Sequence, residues 1–166
     1  MTQSINQKLS SSWLLWTRSL ADRIYFTDGV TAVLFGWRQM TVDVDCKLDP
    51  EASGVFDVLP RLENELDINV ELVAPDAFTP ELLEWRERSQ FIANYGRINF
   101  YHYDFYSQAL AKIERYHARY KNDVRKMIER GLIQPDKLFV LFKEIEPNLK
   151  RFSTIEPNPS RIASKP

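Results

Sequence analysis

Two aspartates, Asp43 and Asp45, stand in the run Thr41-Val42-Asp43-Val44-Asp45-Cys46. On a β-strand successive side chains alternate faces, so both carboxylates project from one side and Val42, Val44 and Cys46 from the other. Neighbouring carboxylates repel, and a divalent cation is the common remedy for an all-oxygen ligand set. The plain alternative is an edge strand with one solvated face. A third acid, Glu71, lies in Val70-Glu71-Leu72 on a later strand, where Asn69 and Glu71 share one face. Upstream, Asp28-Gly29 breaks a strand before a helix. A glycine there lets the backbone approach a ligand, and the N–H groups that open the helix favour an anion such as a phosphate.

The elements that must position these residues follow from hydrophobic period and turn residues. Residues 5–22 read as an amphipathic helix carrying Leu9, Trp13, Leu14 and Leu20. A strand over 23–27 and a helix over 30–35, ended by Gly36, come next. The second strand covers 42–47. A helix starting at residues 48–51 carries Val55, Phe56, Leu59, Leu62 and Leu66 at helical spacing, and Pro60 is expected to kink or split it. A third strand spans 68–73, and 74–88 is irregular with a short helix. Residues 90–103 form a hairpin turning at Tyr95-Gly96. Asp104 caps a helix from 105 to about 118. Another helix runs from about 121 to 130 and is closed by Gly131. Pro135 opens the last helix, and from Pro147 the chain is expected to be extended. The order predicts an α/β to α+β domain with a mixed sheet. Its organisation is a core over 1–104 that includes the hairpin, a helical cap over 105–146 packed on that core, and a tail over 147–166.

Composition narrows the function classes. A hydrophobic share of 44% is enough for a core, and a net charge of −1 gives no global pull toward nucleic acid or membrane. Any such surface is local. Residues 112–130 are one: seven Lys or Arg face three acids there. They form either a solvated helix face or a rim for triphosphate or RNA. A single cysteine, Cys46, excludes an internal disulfide, fits a reducing cytoplasm and falls on an apolar face, where packing is its expected role. No apolar run is long enough to span a bilayer, and no signal peptide is recognisable at the start of the chain. Two histidines, His102 and His117, with one cysteine do not make a structural zinc site of the usual kind.

The order glycine turn, Asp-x-Asp, third acid resembles the nucleotidyltransferase superfamily of the DNA polymerase β type. It is most similar to a prokaryotic branch related to the abortive-infection (AbiEii-like) nucleotidyltransferase toxins. That branch reads Gly-Gly-x-x-Ala-x-x-x-x-Gly-x-Arg-x-Ser-Thr-x-Asp-x-Asp, against which this chain places Gly29, Ala32, Gly36, Arg38, Thr41, Asp43 and Asp45. A later signature matches Tyr106, Ala109, Leu110, Lys112, Arg115, Arg119 and Asp123. The resemblance spans about residues 20–135 and implies a mixed sheet of the nucleotidyltransferase type with flanking helices and a C-terminal helical cap. It also implies two Mg²⁺ ions held by Asp43, Asp45 and Glu71, and a nucleoside triphosphate bound by Gly29, Arg38, Thr41, Lys112, Arg115, Arg119 and Asp123. The implied reaction moves a nucleoside monophosphate to a hydroxyl of RNA or protein, in a toxin–antitoxin setting with a partner protein.

Four residues depart from that pattern. Asp28 stands where the first glycine is usual, Met40 where a serine is, Tyr120 where an aspartate is, and Tyr116 where a small residue is. They motivate the alternative of a catalytically degenerate domain acting as a binding or partner subunit. The aromatic group Tyr95, Phe100, Tyr101, Tyr103, Phe105 and Tyr106, together with Trp37 and Trp85, is expected to pack. His102 is expected to make a strand hydrogen bond rather than act as a base.

Overall fold

A computed structural model describes residues 22–51 and 55–154 of the 166. The helix expected over 5–22, with Trp13 and Trp16, and the segment 155–166 lie outside the described residues. Contacts divide the chain into two units, and the polypeptide passes between them more than once. One comprises the residues up to Leu72 and Gln90–His102; the other comprises Val73–Ser89 and everything from Tyr103 onward.

The first unit is a five-stranded mixed sheet. Its strands are β1 (Arg23–Phe26), β2 (Asp43–Asp49), β3 (Asn69–Glu71), β4 (Gln90–Tyr95) and β5 (Ile98–His102), in the order β3-β2-β1-β5-β4. β1 is central and built of strand formers; Ile24, Tyr25 and Phe26 are all buried. It pairs antiparallel with β2 and parallel with β5, while β2 and β3 run parallel. The hairpin β4–β5 turns through Gly96 at φ 61, as the sequence predicts.

Alternation sorts the two faces. Ile24, Phe26, Val44, Cys46, Leu48, Val70, Ile98 and Phe100 join one core cluster. Helix α1 (Asp28–Leu34) contributes Val30 to it, and α2 (Val55–Leu66) contributes Leu59, Leu62 and Leu66. Asp43, Asp45 and Lys47 alternate with the buried residues of β2 and so project from the opposite face. Cys46 packs in the core as expected, and burial pushes its thiol up to about 12.

Three elements differ from the sequence reading. Leu48 and Asp49 extend β2 instead of opening a helix, because Leu48 continues the core-facing alternation. Pro60 does not split α2, which runs unbroken from Val55 to Leu66. The missing N–H leaves one carbonyl in the first turns of the helix, beside exposed Phe56, where water can reach it. β3 has three residues rather than six.

The second unit is helical: a 3₁₀ turn at Pro75–Ala77, α3 (Trp85–Arg88), α4 (Phe105–Arg115), α5 (Ala118–Glu129) and α6 (Pro135–Thr154). Asp104 caps α4 as expected, with Oδ1 accepting from the Tyr106 N–H at 3.2 Å. α4 ends at Arg115, earlier than its apolar pattern suggests, because Tyr116 adopts the left-handed conformation at φ 47. α6 passes through Pro147 to Thr154, so the extended tail expected from Pro147 is helical in its first part. Buried Leu141 and Ile145, six and two residues before the proline, hold that stretch by their packing. Trp85 stacks flat on Tyr103, ring centroids 4.3 Å apart, so the aromatic residues pack as anticipated.

Gly29 sits where α1 begins. A Cβ there would overlap the Thr41 hydroxyl and come within 2.9 Å of the Thr41 Cβ. Gly29→Ala is therefore expected to destabilise the protein by about 1–3 kcal/mol. Adding Thr41→Ala recovers part of that loss, and chemical denaturation of the two single variants and the pair checks the coupling.

Candidate functional site

The parallel pairing of β2 with β3 sets the acidic face. Asp43 lies opposite Asn69, Val44 opposite Val70, and Asp45 opposite Glu71. Asp45 and Glu71 are therefore neighbours across the ladder on the face away from the core, as the sequence predicts for all three acids. One amide nitrogen links two of them: Asn69 Nδ2 donates to Asp43 Oδ1 at 3.0 Å and to Glu71 Oε1 at 2.9 Å. Those two oxygens thus lie within roughly 6 Å of each other, where unit charges repel by about 1 kcal/mol in water and about 3 at a protein-like dielectric. The amide's positive end offsets that repulsion. Sequence reasoning placed Asn69 on this face without a role; its signal was the shared face two residues before Glu71.

The donor set is all oxygen, the kind a hard divalent cation takes, and the Asp43 and Glu71 carboxylates meet at the Asn69 amide nitrogen. Among the described residues no three His, Cys, Asp or Glu side chains are gathered closely enough to hold a metal ion. Drawing Asp45 in with the other two therefore requires side-chain movement.

A glycine turn adjoins this face through direct contacts. The Thr41 hydroxyl donates to the Asp43 carbonyl at 2.9 Å. The same hydroxyl fills the space that a Gly29 side chain would need, and the Arg38 guanidinium lies 3.5 Å from that space. Gly29, Arg38, Thr41 and Asp43 thus form one connected group. Asp28, the residue before this glycine, holds φ 46, a conformation that favours glycine and that aspartate tolerates better than most. The exposed Met40 side chain stands next to Thr41.

Lys112, Arg115, Arg119 and Asp123 gather in the helical unit. Lys112 is 1% exposed, and its Nζ pairs with Asp123 Oδ2 at 3.0 Å. Tyr120 is the hub of this group. Lys112 Nζ lies 4.9 Å from its ring centroid, and the Arg115 and Arg119 guanidinium carbons lie 4.4 and 5.1 Å from it. Arg115 also covers Phe78 at 4.1 Å. The Tyr120 ring is thus a surface on which cations stack. The resemblance implies a phosphate contact for Lys112; its ammonium pairs with Asp123 inside the helical unit.

His102 is a core residue. Its Nδ1 lies 3.1 Å from the Thr31 hydroxyl, and its ring tilts against Phe35. The hydrogen bond expected of it is made to an α1 side chain. Burial pulls its pKa down to about 4, so the imidazole is neutral at pH 7.

Two outcomes follow. His102 binds a proton more weakly folded, at about 4, than unfolded, at about 6.5, so its contribution to stability is complete above pH 6.5 and is lost as the pH falls toward 4. The loss is at most about 3 kcal/mol, and His102→Gln should flatten the slope of unfolding free energy across pH 4–6.5. Lys112→Met removes the cation from the buried Asp123 and should cost about 3–5 kcal/mol of stability. A compensating Lys112→Met/Asp123→Leu pair should recover much of it in thermal unfolding.

Against models of known protein families, against curated proteins and against solved structures, the chain gives no match. The geometry of its own residues is therefore the basis for its functional reading.

Proposed function

We propose that the chain is a divalent-metal-dependent nucleotidyltransferase that moves a nucleoside monophosphate from a triphosphate to a hydroxyl acceptor. The observation that carries this reading is the in-register acidic face of β2 and β3, joined through Thr41 to a tightly packed glycine turn. Asp43, Asp45 and Glu71 would hold magnesium, two ions in the full site. Bound there, the metal supplies positive charge to the triphosphate and acidity to the attacking hydroxyl.

The chain's own groups do the rest. The absence of a side chain at Gly29 lets the Thr41 side chain pack directly against the start of α1. Arg38, beside it, brings positive charge to the same turn. Thr41 ties the turn to the first acid through its hydrogen bond to the Asp43 carbonyl. The acceptor oxygen bonds to the α-phosphorus as pyrophosphate leaves, and the hydroxyl proton passes to solvent. The acceptor classes are an RNA end and a protein side chain.

A second reading is favoured by one specific finding. Lys112, the cation assigned to the triphosphate, is engaged with Asp123. A domain whose phosphate-neutralising lysine is committed internally, and whose turn carries Asp28, fits a partner subunit that keeps the fold without the transfer.

Incubation with each labelled nucleoside triphosphate, Mg²⁺ and total RNA or protein separates the two. Label transfer by the wild type that falls at least about 100-fold in Asp45→Ala supports the enzyme. Equal background from both proteins overturns it and leaves the partner-subunit reading.

A further inference from the structure

We infer that the outward side of α5, with Tyr116 at its head, is a docking surface for single-stranded nucleic acid. Every residue of this surface belongs to the helical unit, so it exists whether or not the sheet face takes a metal. With a net charge of −1 the whole chain does not attract a polyanion, and any pull has to come from a local excess. α5 has that excess: Arg119, Lys121, Arg125 and Lys126 stand against Asp123 and Glu129. Folding then takes the acids out of play. Asp123 is 2% exposed and pairs with Lys112 at 3.0 Å. Glu129, at the far end of the helix, pairs with Lys126. Arg119, Lys121 and Arg125 remain exposed. Lys121 and Arg125 join no ion pair among the described residues.

Lys121 and Arg125 stand one turn apart, and Arg119 extends the positive charge to the start of the helix. A row of cations suits a row of phosphates, because each contact releases a counterion from the strand. Tyr116 supplies what charge alone lacks. It is 72% exposed and holds φ 47, and its backbone N–H donates to the Lys112 and Ile113 carbonyls, each at 3.2 Å. Lys121 Nζ lies 4.2 Å from the ring centroid and donates to the Tyr116 hydroxyl at 3.1 Å. One cation thus steadies the ring while most of the side chain faces water. A nucleobase stacked there has its phosphate beside Lys121 and the cations that follow.

Two other anionic partners fit less well. An anionic membrane calls for bulky apolar side chains beside the cations, and the exposed residues of α5 from Ala118 to Arg125 include none. An acidic peptide offers carboxylates to the cations but no base to the Tyr116 ring.

The test is fluorescence anisotropy of a labelled oligouridine with the full chain in EDTA, from about 50 to about 200 mM NaCl. EDTA removes metal, so failure here and failure of the transfer reaction are separate results. Three phosphate contacts predict a slope of log K against log salt of about −2. Lys121→Gln/Arg125→Gln should bring that slope to about −0.7. Tyr116→Ala should weaken binding about 10-fold and leave the slope unchanged, which separates stacking from charge. A wild type that does not bind at about 50 mM NaCl overturns the docking surface. Full binding by the double variant overturns it too, as does full binding by Tyr116→Ala. Capture by phosphatidylserine vesicles without oligouridine binding gives the surface to a membrane and refutes the nucleic acid. Should the double variant fail to fold, Arg125→Gln decides: a slope reduced by about 0.7 supports the docking surface and an unchanged slope refutes it.

Discussion

The parallel, in-register pairing of β2 with β3 is the constraint from which the chemistry of the sheet follows. It sets Asp45 against Glu71 and Asp43 against Asn69 on one face, and Val44 against Val70 on the other. The apolar side secures that register, because Val44 and Val70 enter a core closed by Leu59, Leu62 and Leu66 of α2. A slip of one residue would turn the acids into that core and the valines into solvent. Like charges opposite each other on a ladder are unfavourable in themselves. The hydrophobic face thus holds the acids together against their own repulsion, and the Asn69 amide reduces that repulsion locally.

The helical unit handles charge differently. Two of its acids, Asp104 and Asp123, lie in the interior and are satisfied there. Asp104 is 1% exposed, yet it accepts from the Tyr106 N–H, from the Ser107 hydroxyl at 2.7 Å and from Arg88 at 3.0 Å. Asp123 is held by Lys112 in the same way. Buried charges with close partners of this kind pin geometry more than they add net stability. Arg115 and Arg119 instead stack on aromatic rings, an arrangement that suits the planar guanidinium. The two units therefore present opposite electrostatics: carboxylates on a sheet face in one, and cations gathered about Tyr120 in the other.

Strain sits beside the candidate site. Asp28 at φ 46 immediately precedes Gly29, where a Cβ would overlap the Thr41 hydroxyl. Residues kept in sparsely populated conformations cost about 1–3 kcal/mol and cluster at functional positions. Among the described residues three other non-glycine positions share a positive φ: Asp67, Glu84 and Tyr116. Tyr116 ends α4, whereas Asp28 opens α1 and Asp67 lies two residues before β3, so two of the four flank elements of the sheet that carry or adjoin the acids.

Much of this was legible in the residues themselves. Period-two alternation in 43–48 reveals which side chains share a face, because that follows from strand geometry alone. Gly96, Asp104, Gly131 and Pro135 mark their turns and caps through local conformational preference. Other features were not local. Pro60 and Pro147 predict breaks that packing of Leu59, Leu62, Leu141 and Ile145 overrides. Nothing in the neighbourhood of Tyr116 announces a left-handed residue. The commitment of Lys112 to Asp123 joins residues eleven apart on two helices, and the sharing of one Asn69 amide between Asp43 and Glu71 depends on a strand pairing 26 residues apart. Sequence alone determined which groups carry charge and, on strands β2 and β3, which face each turns to, since those depend on residue type and local period. Tertiary structure decided which charges meet, because burial and long-range register are properties of the folded chain and not of any stretch of it.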